Sequence, residues 1–242
     1  MSRRKLFFKG VKDGFPIFLG YFAVSFTLGI AAKAIGINGF EAALMSASNL
    51  TSAGEFAALS IIASSSSYVE MALTELVINL RYALMSSALS QKIKPGTSVL
   101  HRLLIAFGNT DEIFAVATSQ KGYVSPYFCY GLTTLPLIGW TLGTFLGVIS
   151  GGLLPQRAIS ALSVALYGMF IAIIVPPARK NKVIAGIVLI SMLLSTVFTY
   201  TPFLKLIPSG FRIIILTVVI AGAAAWLFPI ENSNRNEKGE EV

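Results

Sequence analysis

The stretch that decides the fold runs from Asn49 to Glu112. It contains three polar pieces: Asn49-Leu50-Thr51-Ser52-Ala53-Gly54-Glu55, Asn79-Leu80-Arg81-Tyr82 and Asn109-Thr110-Asp111-Glu112. The sequence around each piece is apolar enough to lie in a bilayer. A charged side chain in the middle of a membrane costs about 2.5–3.5 kcal/mol. Such side chains are tolerated where they face one another, a cavity or the interior of a helix bundle. These pieces are therefore the candidate functional site.

The composition predicts a helical membrane protein. The 242-residue chain is 55% hydrophobic and only 12% charged, whereas soluble domains are roughly 25% charged. Apolar runs near the roughly 20 helical residues that cross a hydrocarbon core recur along the chain. They are Phe15–Ala34, Ala42–Ile62, Val69–Leu89, Tyr127–Ile149, Ile159–Val175, Val183–Tyr200 and Ile213–Phe228, with Leu103–Thr118 as a shorter run that is polar at its middle. We predict an all-α polytopic membrane protein with about seven transmembrane helices plus one broken or half-span segment.

The charge pattern concerns membrane topology. The net charge of +8 is typical of basic loops on the cytoplasmic face rather than of nucleic-acid binding. Residues 1–13 form a basic lead that fits this face, and Gly14-Phe15-Pro16 then opens the first span. Eight crossings would place Lys92, Lys94 and Arg102 outside, against the positive-inside rule. Treating Leu103–Thr118 as a half-span gives seven crossings and an inverted repeat, but then the basic loop near residue 180 lies outside.

An internal repeat at an offset of 114 residues divides the chain. Residues 27–62 align without gaps to residues 141–176, and weak internal repeats are common in transporters. All the acids between Gly14 and Ile230 lie in the first half, so the two halves have diverged in role. We predict a basic lead (1–13), a first membrane repeat with the polar site (14–122), a second membrane repeat (123–230) and a polar tail (231–242).

A strip of glycines at four-residue spacing comprises Gly139, Gly143, Gly147 and Gly151. Small residues at this spacing let another helix approach closely. The strip either packs inside this chain or contacts a second subunit.

Two of the polar pieces have the spacing of a helix capping box, in which an N-cap oxygen precedes an acid by three residues. In one, Ser52 is the cap and Glu55 the acid. In the other, Asn109 is the cap and Glu112 the acid, with Thr110 as an alternative cap. Both lie inside apolar runs, so they predict helices that start within the membrane. The alternative is that these caps lie at ordinary span ends near the headgroups. A helix start within the membrane directs backbone N–H groups and a positive dipole end at a cavity.

Arg81 lies in the middle of an apolar helix. It either pairs with Asp111 or Glu112 inside the protein or offers its planar fork to a substrate carboxylate. The two acids could hold a substrate ammonium group or carry a proton. We expect Asp111 to serve substrate binding or coupling and Glu112 to serve the helix cap. The candidate site residues are Asn49, Thr51, Ser52, Glu55, Asn79, Arg81, Asn109, Thr110, Asp111 and Glu112.

Enzymatic and metal-binding functions lack their usual motifs. The single histidine, His101, argues against a histidine-rich metal site, and the single Cys129 excludes an intrachain disulfide. No HExxH, Gly-x-Ser-x-Gly or P-loop pattern occurs, so nucleotide-driven transport and common hydrolysis lack their groups. We expect no cofactor, no metal, no nucleic-acid partner and no enzymatic activity, although a membrane-embedded enzyme remains a minor alternative.

The same residues resemble a known family. Gly54-Glu55-Phe56, Leu80-Arg81-Tyr82 and Phe107-Gly108-Asn109-Thr110-Asp111-Glu112-Ile113-Phe114-Ala115 are similar to the signature stretches of the AzlC-type branched-chain amino acid permeases. The likeness covers roughly residues 10–230. Two positions differ, since the family usually has Gln where this chain has Glu55 and His where it has Tyr82.

The resemblance implies a multi-pass plasma-membrane exporter of hydrophobic amino acids, namely leucine, isoleucine and valine, with methionine as a further candidate. It also implies proton coupling and a small membrane partner subunit of the AzlD type. The residues themselves leave a passive channel or pore for small solutes open, because a water-filled polar cavity would suffice for one.

Overall fold

The computed structural model describes residues 2–151, 178–207 and 209–228, together with the single positions 153, 155, 157, 171, 174 and 175. Within these residues the secondary structure is helical: α1 (Arg3–Ala34), α2 (Gly39–Asn49), α3 (Ser52–Ala63), α4 (Tyr68–Lys92), α5 (Val99–Phe107), α6 (Asp111–Thr118), α7 (Pro126–Ser150), α8 (Lys182–Tyr200), a 3₁₀ turn (Leu204–Leu206) and α9 (Ser209–Leu227). The predicted tail and most of the predicted span Ile159–Val175 lie outside the described residues. So does the second repeat member beyond residue 151, apart from the single positions named.

The chain forms two compact units, Met1–Ile171 and Ala172–Val242. In the described part of the second unit, α8 and α9 pack with residues 181–187 beside residues 224–228, and a cavity of about 670 Å³ lies between them. The side chain of Asn181 accepts a hydrogen bond from the Val183 N–H and so caps α8. All of the candidate site residues lie in the first unit.

Helix α1 is longer than the sequence predicts. It runs unbroken for 32 residues from Arg3, and Ser2 caps it by accepting a hydrogen bond from the Lys5 N–H. The predicted lead at 1–13 is therefore part of the first long helix. The prediction that Pro16 opens a span is wrong, because Pro16 lies inside α1.

Helices α1 and α7 pack side by side and run parallel. A Cβ placed on Gly10 would lie 2.2 Å from the Phe128 carbonyl oxygen, and one on Gly29 would lie 2.1 Å from that of Thr144. Residue numbers therefore rise together along both helices. Such contacts require glycine, since any side chain would force the backbones apart.

The glycine strip of α7 faces α1 within the same chain. A Cβ on Gly143 would lie 2.6 Å from the Phe22 carbonyl oxygen, and one on Gly147 would lie 2.1 Å from that of Phe26. Of the two alternatives the sequence leaves open, packing inside the chain is correct for this strip. Gly139, Gly143 and Gly147 are buried in the α1–α7 contact and are not available to a second subunit.

The first helical hairpin, α2 and α3, occupies the apolar run Ala42–Ile62 and contains the predicted break. Helix α2 begins with Gly39 beside Phe145 and Ile149, near the C-terminal end of α7. The chain then turns at Leu50, whose φ of 52° and ψ of 38° are left-handed, and α3 leads directly into α4. Ala42, Leu50 and Leu59 of this hairpin lie in one core cluster with Leu28 and Trp140. This hairpin therefore occupies the half of the first unit near the C-terminal ends of α1 and α7.

The second helical hairpin, α5 and α6, occupies the other half. His101 on α5 bonds Tyr130 near the start of α7, and the carbonyl of Thr118 at the end of α6 accepts a hydrogen bond from Lys92. The chain thus enters and leaves this hairpin at the same end. Its buried residues belong to a second core cluster with Leu89, Phe128 and Leu132. The predicted broken segment within Leu103–Thr118 is present, with its break at residues 108–110.

Basic residues collect at the end of the first unit that holds the start of α1, the end of α4 and the start of α7; we call it the basic end. Lys9 donates to Gln120, Arg3 lies over the Tyr127 ring, and Lys92 donates to the carbonyls of Thr118 and Gln120. Helix α4 ends here, so it runs antiparallel to α1. Neither of the predicted crossing counts anticipated this arrangement, since each treated residues 42–62 as one crossing.

Three of the described helices, α1, α7 and α8, are long and apolar enough to cross a membrane. Helix α4 equals α7 in length at 25 residues, or about 37 Å at the usual helical rise. It carries four charged residues, Glu70, Glu75, Arg81 and Lys92, which reduces its hydropathy.

Candidate functional site

The first break lies at Leu50 and Thr51, between α2 and α3. Thr51 occupies the N-cap position and its side chain makes no capping bond, while Ser52 is already the first helical residue. The predicted helix start is confirmed, since α3 begins at Ser52, but the predicted cap is wrong, because Thr51 and not Ser52 occupies the N-cap position. Leu50 ends α2 in a left-handed conformation, and the one extended residue between it and α3 is Thr51.

Glu55 is buried in a closed network of donors, with 1% of its surface exposed. The Ser46 hydroxyl donates to Oε2 at 2.6 Å, the Trp140 indole N–H donates to Oε1 at 2.9 Å, and the Thr51 N–H donates to Oε1 at 3.2 Å. The Ser46 hydroxyl also lies 2.8 Å from that of Thr144. Three donors on two oxygens suit a carboxylate better than an amide, whose NH₂ group would face one of them. Glu55 thus joins α2, α3 and α7.

A second polar cluster lies against Gly54. Asn79 donates from Nδ2 to Glu75 Oε2 at 2.8 Å, one turn apart on α4. A Cβ on Gly54 would lie 2.5 Å from Thr51 Oγ1 and 2.6 Å from Glu75 Oε2. Thr51 Oγ1, Glu75 Oε1 and Asn79 Oδ1 are buried without a hydrogen-bond partner among the described residues. Thr51 and Asn79 are predicted site residues, whereas Glu75 is absent from the predicted set although it is an acid within an apolar run.

Arg81 and Asp111 form an ion pair beside the second break. Arg81 Nη1 donates to Asp111 Oδ2 at 2.5 Å, and the side chains are 39% and 29% exposed. Arg81 Nη2 donates to the Tyr82 hydroxyl at 3.1 Å, and the guanidinium lies 4.9 Å from the centre of the Tyr82 ring. The structure thus pairs Arg81 with Asp111 rather than with Glu112. Arg81 stands eleven residues before the end of α4, or about 16 Å along its axis.

At the second break, the side chain at the N-cap position makes no capping bond. Thr110 is the N-cap of α6 and makes no side-chain capping bond, so the alternative cap is correct and Asn109 is not the cap. Asn109 is 1% exposed and donates to Ser86 at 3.1 Å. The expected capping role of Glu112 is wrong, because its carboxylate accepts a hydrogen bond from the Tyr21 hydroxyl.

Tyr21 and Trp140 connect the two breaks. The Tyr21 hydroxyl oxygen lies 2.6 Å from the Thr110 hydroxyl, and the Tyr21 ring lies edge-on to Trp140 with centroids 5.4 Å apart. Trp140 in turn donates to Glu55. Neither aromatic residue was predicted to belong to the site. In an apolar run, the sequence pattern around a tyrosine or tryptophan does not distinguish a core residue from a site residue.

A cavity of about 280 Å³ adjoins the second break. Its apolar lining comes mainly from Leu89, Ile93, Leu103 and Ile105, and its polar lining from three serines of α4, Arg102 and Asn109. Asn109 Oδ1 is buried without a hydrogen-bond partner among the described residues.

The remaining predicted residues make local contacts. Asn49 is exposed and donates to the Met45 carbonyl of its own helix at 3.0 Å, and Ser52 is half-buried in the first turn of α3. The structure therefore brings together Thr51 with Asn79, and separately Arg81 with Asp111. It does not place Asn49 or Ser52 in a bond with either group.

Comparison with known proteins identifies the relatives of the chain. The family model described as AzlC protein matches residues 16–154. An uncharacterized membrane protein of Archaeoglobus fulgidus is 31% identical over 189 residues, which is 77% of this chain and 83% of the relative. The inner membrane protein YgaZ of Escherichia coli is 28% identical over 183 residues, 73% of this chain and 75% of the relative. No solved structure matches the chain.

Proposed function

Because the chain belongs to the AzlC family of membrane proteins, we propose that it is a transporter subunit that exports branched-chain and related hydrophobic amino acids. Leucine, isoleucine and valine are the expected substrates, with methionine as a further candidate. We propose a transporter rather than an enzyme, located in the plasma membrane.

The observation that carries the proposal is the half-exposed Arg81–Asp111 pair at the second break. An amino acid is a zwitterion, with one carboxylate and one ammonium group. Its carboxylate replaces Asp111 on the planar Arg81 fork, and its ammonium group pairs with Asp111. Both partners are neutral overall, so the exchange leaves no uncompensated charge in a low-dielectric site.

Two neighbouring features support this exchange. Tyr82 holds the guanidinium by a hydrogen bond and by its ring, so Arg81 stays in place while Asp111 is displaced. The cavity begins at Ser86, five residues and about 7–8 Å along α4 from Arg81. Its leucine and isoleucine lining suits the branched aliphatic side chain of the substrate.

The two helical hairpins suit alternating access. They enter the first unit from opposite ends, and their breaks meet at Tyr21 and Trp140 near its middle. Transporters of several folds place the substrate site between broken helices of this kind. Movement of one hairpin at a time would open the ion pair to one side only.

Counterflow of labelled leucine in proteoliposomes tests the proposal. A carrier loaded with unlabelled leucine should accumulate label transiently, because exchange is coupled through one site. A pore would only equilibrate the label, and an enzyme would change it chemically. Absence of both accumulation and leucine-specific competition would reject the amino-acid exporter.

The small AzlD-type partner and the coupling to protons are further parts of the proposal, and both rest on the family resemblance. In the test, the chain is expressed alone and together with the small membrane protein encoded by the neighbouring reading frame, in a strain that lacks its own amino-acid exporters. We expect full export only from the pair. Full export by the chain alone would remove the partner from the proposal.

A further inference from the structure

We propose that Glu75, Asn79 and Thr51 bind a small monovalent cation, a sodium ion or a proton, in the space beside Gly54. The binding itself stands on the geometry of the three side chains. Its use as the coupling ion of export rests on the proposed function.

Three polar side chains lie together beside Gly54. Thr51 Oγ1, Glu75 Oε2 and Asn79 Nδ2 lie 2.5, 2.6 and 3.4 Å from the position of a Cβ on Gly54. Only glycine permits this, since a methyl group would collide with two of them. Asn79 uses its amide N–H to hold Glu75 Oε2, which turns the amide oxygen away from that bond.

The unpaired atoms are all oxygens. Thr51 Oγ1, Glu75 Oε1 and Asn79 Oδ1 are buried and have no hydrogen-bond partner among the described residues. Buried polar groups in native proteins are nearly always paired, and oxygens of carboxylate, amide and hydroxyl groups are the ligands that hard cations prefer. Thr51, Glu75 and Asn79 thus offer three oxygen ligands to a sodium ion, whereas a proton would bind Glu75 and let it donate to one neighbouring oxygen.

The charge of the cluster favours a monovalent ion. Glu75 is its one carboxylate, and in the described part of the chain no group of three or more His, Cys, Asp or Glu residues could hold a metal ion. One positive charge therefore neutralises the site. A neutral site also removes the cost of an isolated carboxylate within an apolar helix.

The other charged groups around α4 have partners of their own. Glu55 of α3 interacts with Glu75 through space and is held by Ser46, Trp140 and the Thr51 N–H. Arg81 and Asp111 pair with each other.

The charged residues farther along the chain are also bonded. On α5, His101 bonds Tyr130 and Arg102 bonds Ser90. Glu112 of α6 bonds Tyr21, and Lys92 donates to the Thr118 carbonyl at the end of α6. The remaining acid of α4, Glu70, has an interaction of its own.

Thermal unfolding of the purified full-length chain in detergent tests the site without any substrate. A thiol-reactive dye reports unfolding through the single, buried Cys129. Sodium chloride is compared with choline chloride at constant ionic strength, over a series of pH values. Wild-type protein, Glu75→Gln and Thr51→Val are measured, with Glu41→Gln as control, because Glu41 is exposed and glutamine preserves its capping box.

The expected result is a cation-dependent rise in the wild-type midpoint that Glu75→Gln abolishes and Glu41→Gln retains. At about ten times Kd the rise should be roughly 3–6 °C. Dependence on sodium at fixed pH identifies a sodium site, and Thr51→Val should then require several-fold more sodium. Dependence on pH alone, lost in Glu75→Gln, identifies a proton.

Equal responses to sodium and pH in wild type and Glu75→Gln would overturn the cation site. That outcome is separate from failure of the proposed function, which leucine counterflow measures. A cation response without leucine counterflow would keep the site and reject the exporter.

Discussion

The two chain breaks differ in how their acids are held. At the first, Glu55 is 1% exposed and receives three hydrogen bonds from donors that bear no charge. At the second, Asp111 is 29% exposed and pairs with a cation. At the first break, both carboxylate oxygens of Glu55 are already hydrogen-bonded, and the side chain links three helices. The second can exchange one charged partner for another, so it is where a charged ligand can compete.

The largest expected effect is the loss of the joint at Glu55. Glu55→Ala leaves the Trp140 and Thr51 N–H groups without their acceptor. Each such group costs about 1–3 kcal/mol, so we expect little folded protein. Membrane-fraction yield measures this, with Glu41→Ala as the exposed control. Normal yield of Glu55→Ala would remove the distinction between the two breaks.

The next largest effect is on binding at the second break. Asp111→Asn keeps the shape of the side chain and removes the charge that the substrate ammonium group needs. Loss of one partner of a close charge pair costs about 2–5 kcal/mol, so we expect leucine exchange to fall by roughly 30-fold or more at normal protein levels. Glu112→Gln should lose only a few-fold, because the amide oxygen still accepts from Tyr21.

The outcome of Asp111→Asn also separates two roles. Loss of both exchange and gradient-driven export indicates ammonium binding. Loss of gradient-driven export alone, with exchange intact, indicates that Asp111 carries a proton instead. Wild-type export and exchange in both Asp111→Asn and Glu112→Gln would place the site elsewhere in the chain.

A smaller effect is expected where the two breaks are connected. Tyr21→Phe removes the hydroxyl that bonds Thr110 and Glu112 but keeps the ring against Trp140. One lost hydrogen bond to a charged group is worth about 1.5–3 kcal/mol, and we expect a lower thermal midpoint and a several-fold slower exchange. Unchanged stability and exchange would show that the second break is not positioned by α1.

The smallest effect on activity should come from cysteine labels that locate the ends of the hairpins. In a Cys129→Ser background, Ser65→Cys lies between α3 and α4, and Lys94→Cys lies between α4 and α5. If the hairpins enter from opposite sides, a membrane-impermeant thiol reagent labels Ser65→Cys from outside and Lys94→Cys only after the cells are opened. Labelling of both from one side would contradict the arrangement, and activity should stay near that of wild type.

In the eight-crossing count, Lys92 conflicts with the positive-inside rule because residues 42–62 are counted as one crossing. With α2–α3 as a hairpin, α4 runs back toward the basic end, so Lys92 lies beside Lys9 through their common partner Gln120. The periodicity of an apolar run does not reveal a reversal in its middle. The signal available was the polar piece at residues 49–55, which predicts a break but not its direction.

Much of the candidate site was predictable as residue types but not as partners. Arg81 and Asp111 stand out because charged residues are rare in an apolar run. Their pairing lowers the free-energy cost of placing each charge in a membrane. The separate roles of Glu55, Glu75 and Glu112 were not predictable, because three acids of similar setting differ only in which neighbouring helices supply donors. The capping boxes failed for this reason, since Glu55 and Glu112 bond side chains of other helices.

The sequence by itself determined that the chain is helical, that it belongs in a membrane, and that the polar pieces inside its apolar runs lie between Asn49 and Glu112. Composition and charge are sufficient for this, because a charged side chain within the bilayer is costly unless it pairs with another group or faces a cavity. Only the tertiary structure decided that two apolar runs fold back as hairpins, that the glycine strip joins α7 to α1, and that Tyr21 and Trp140 connect the breaks. Those outcomes depend on which surfaces meet, and contacts between residues as far apart as Glu55 and Trp140 leave no periodic trace in the chain.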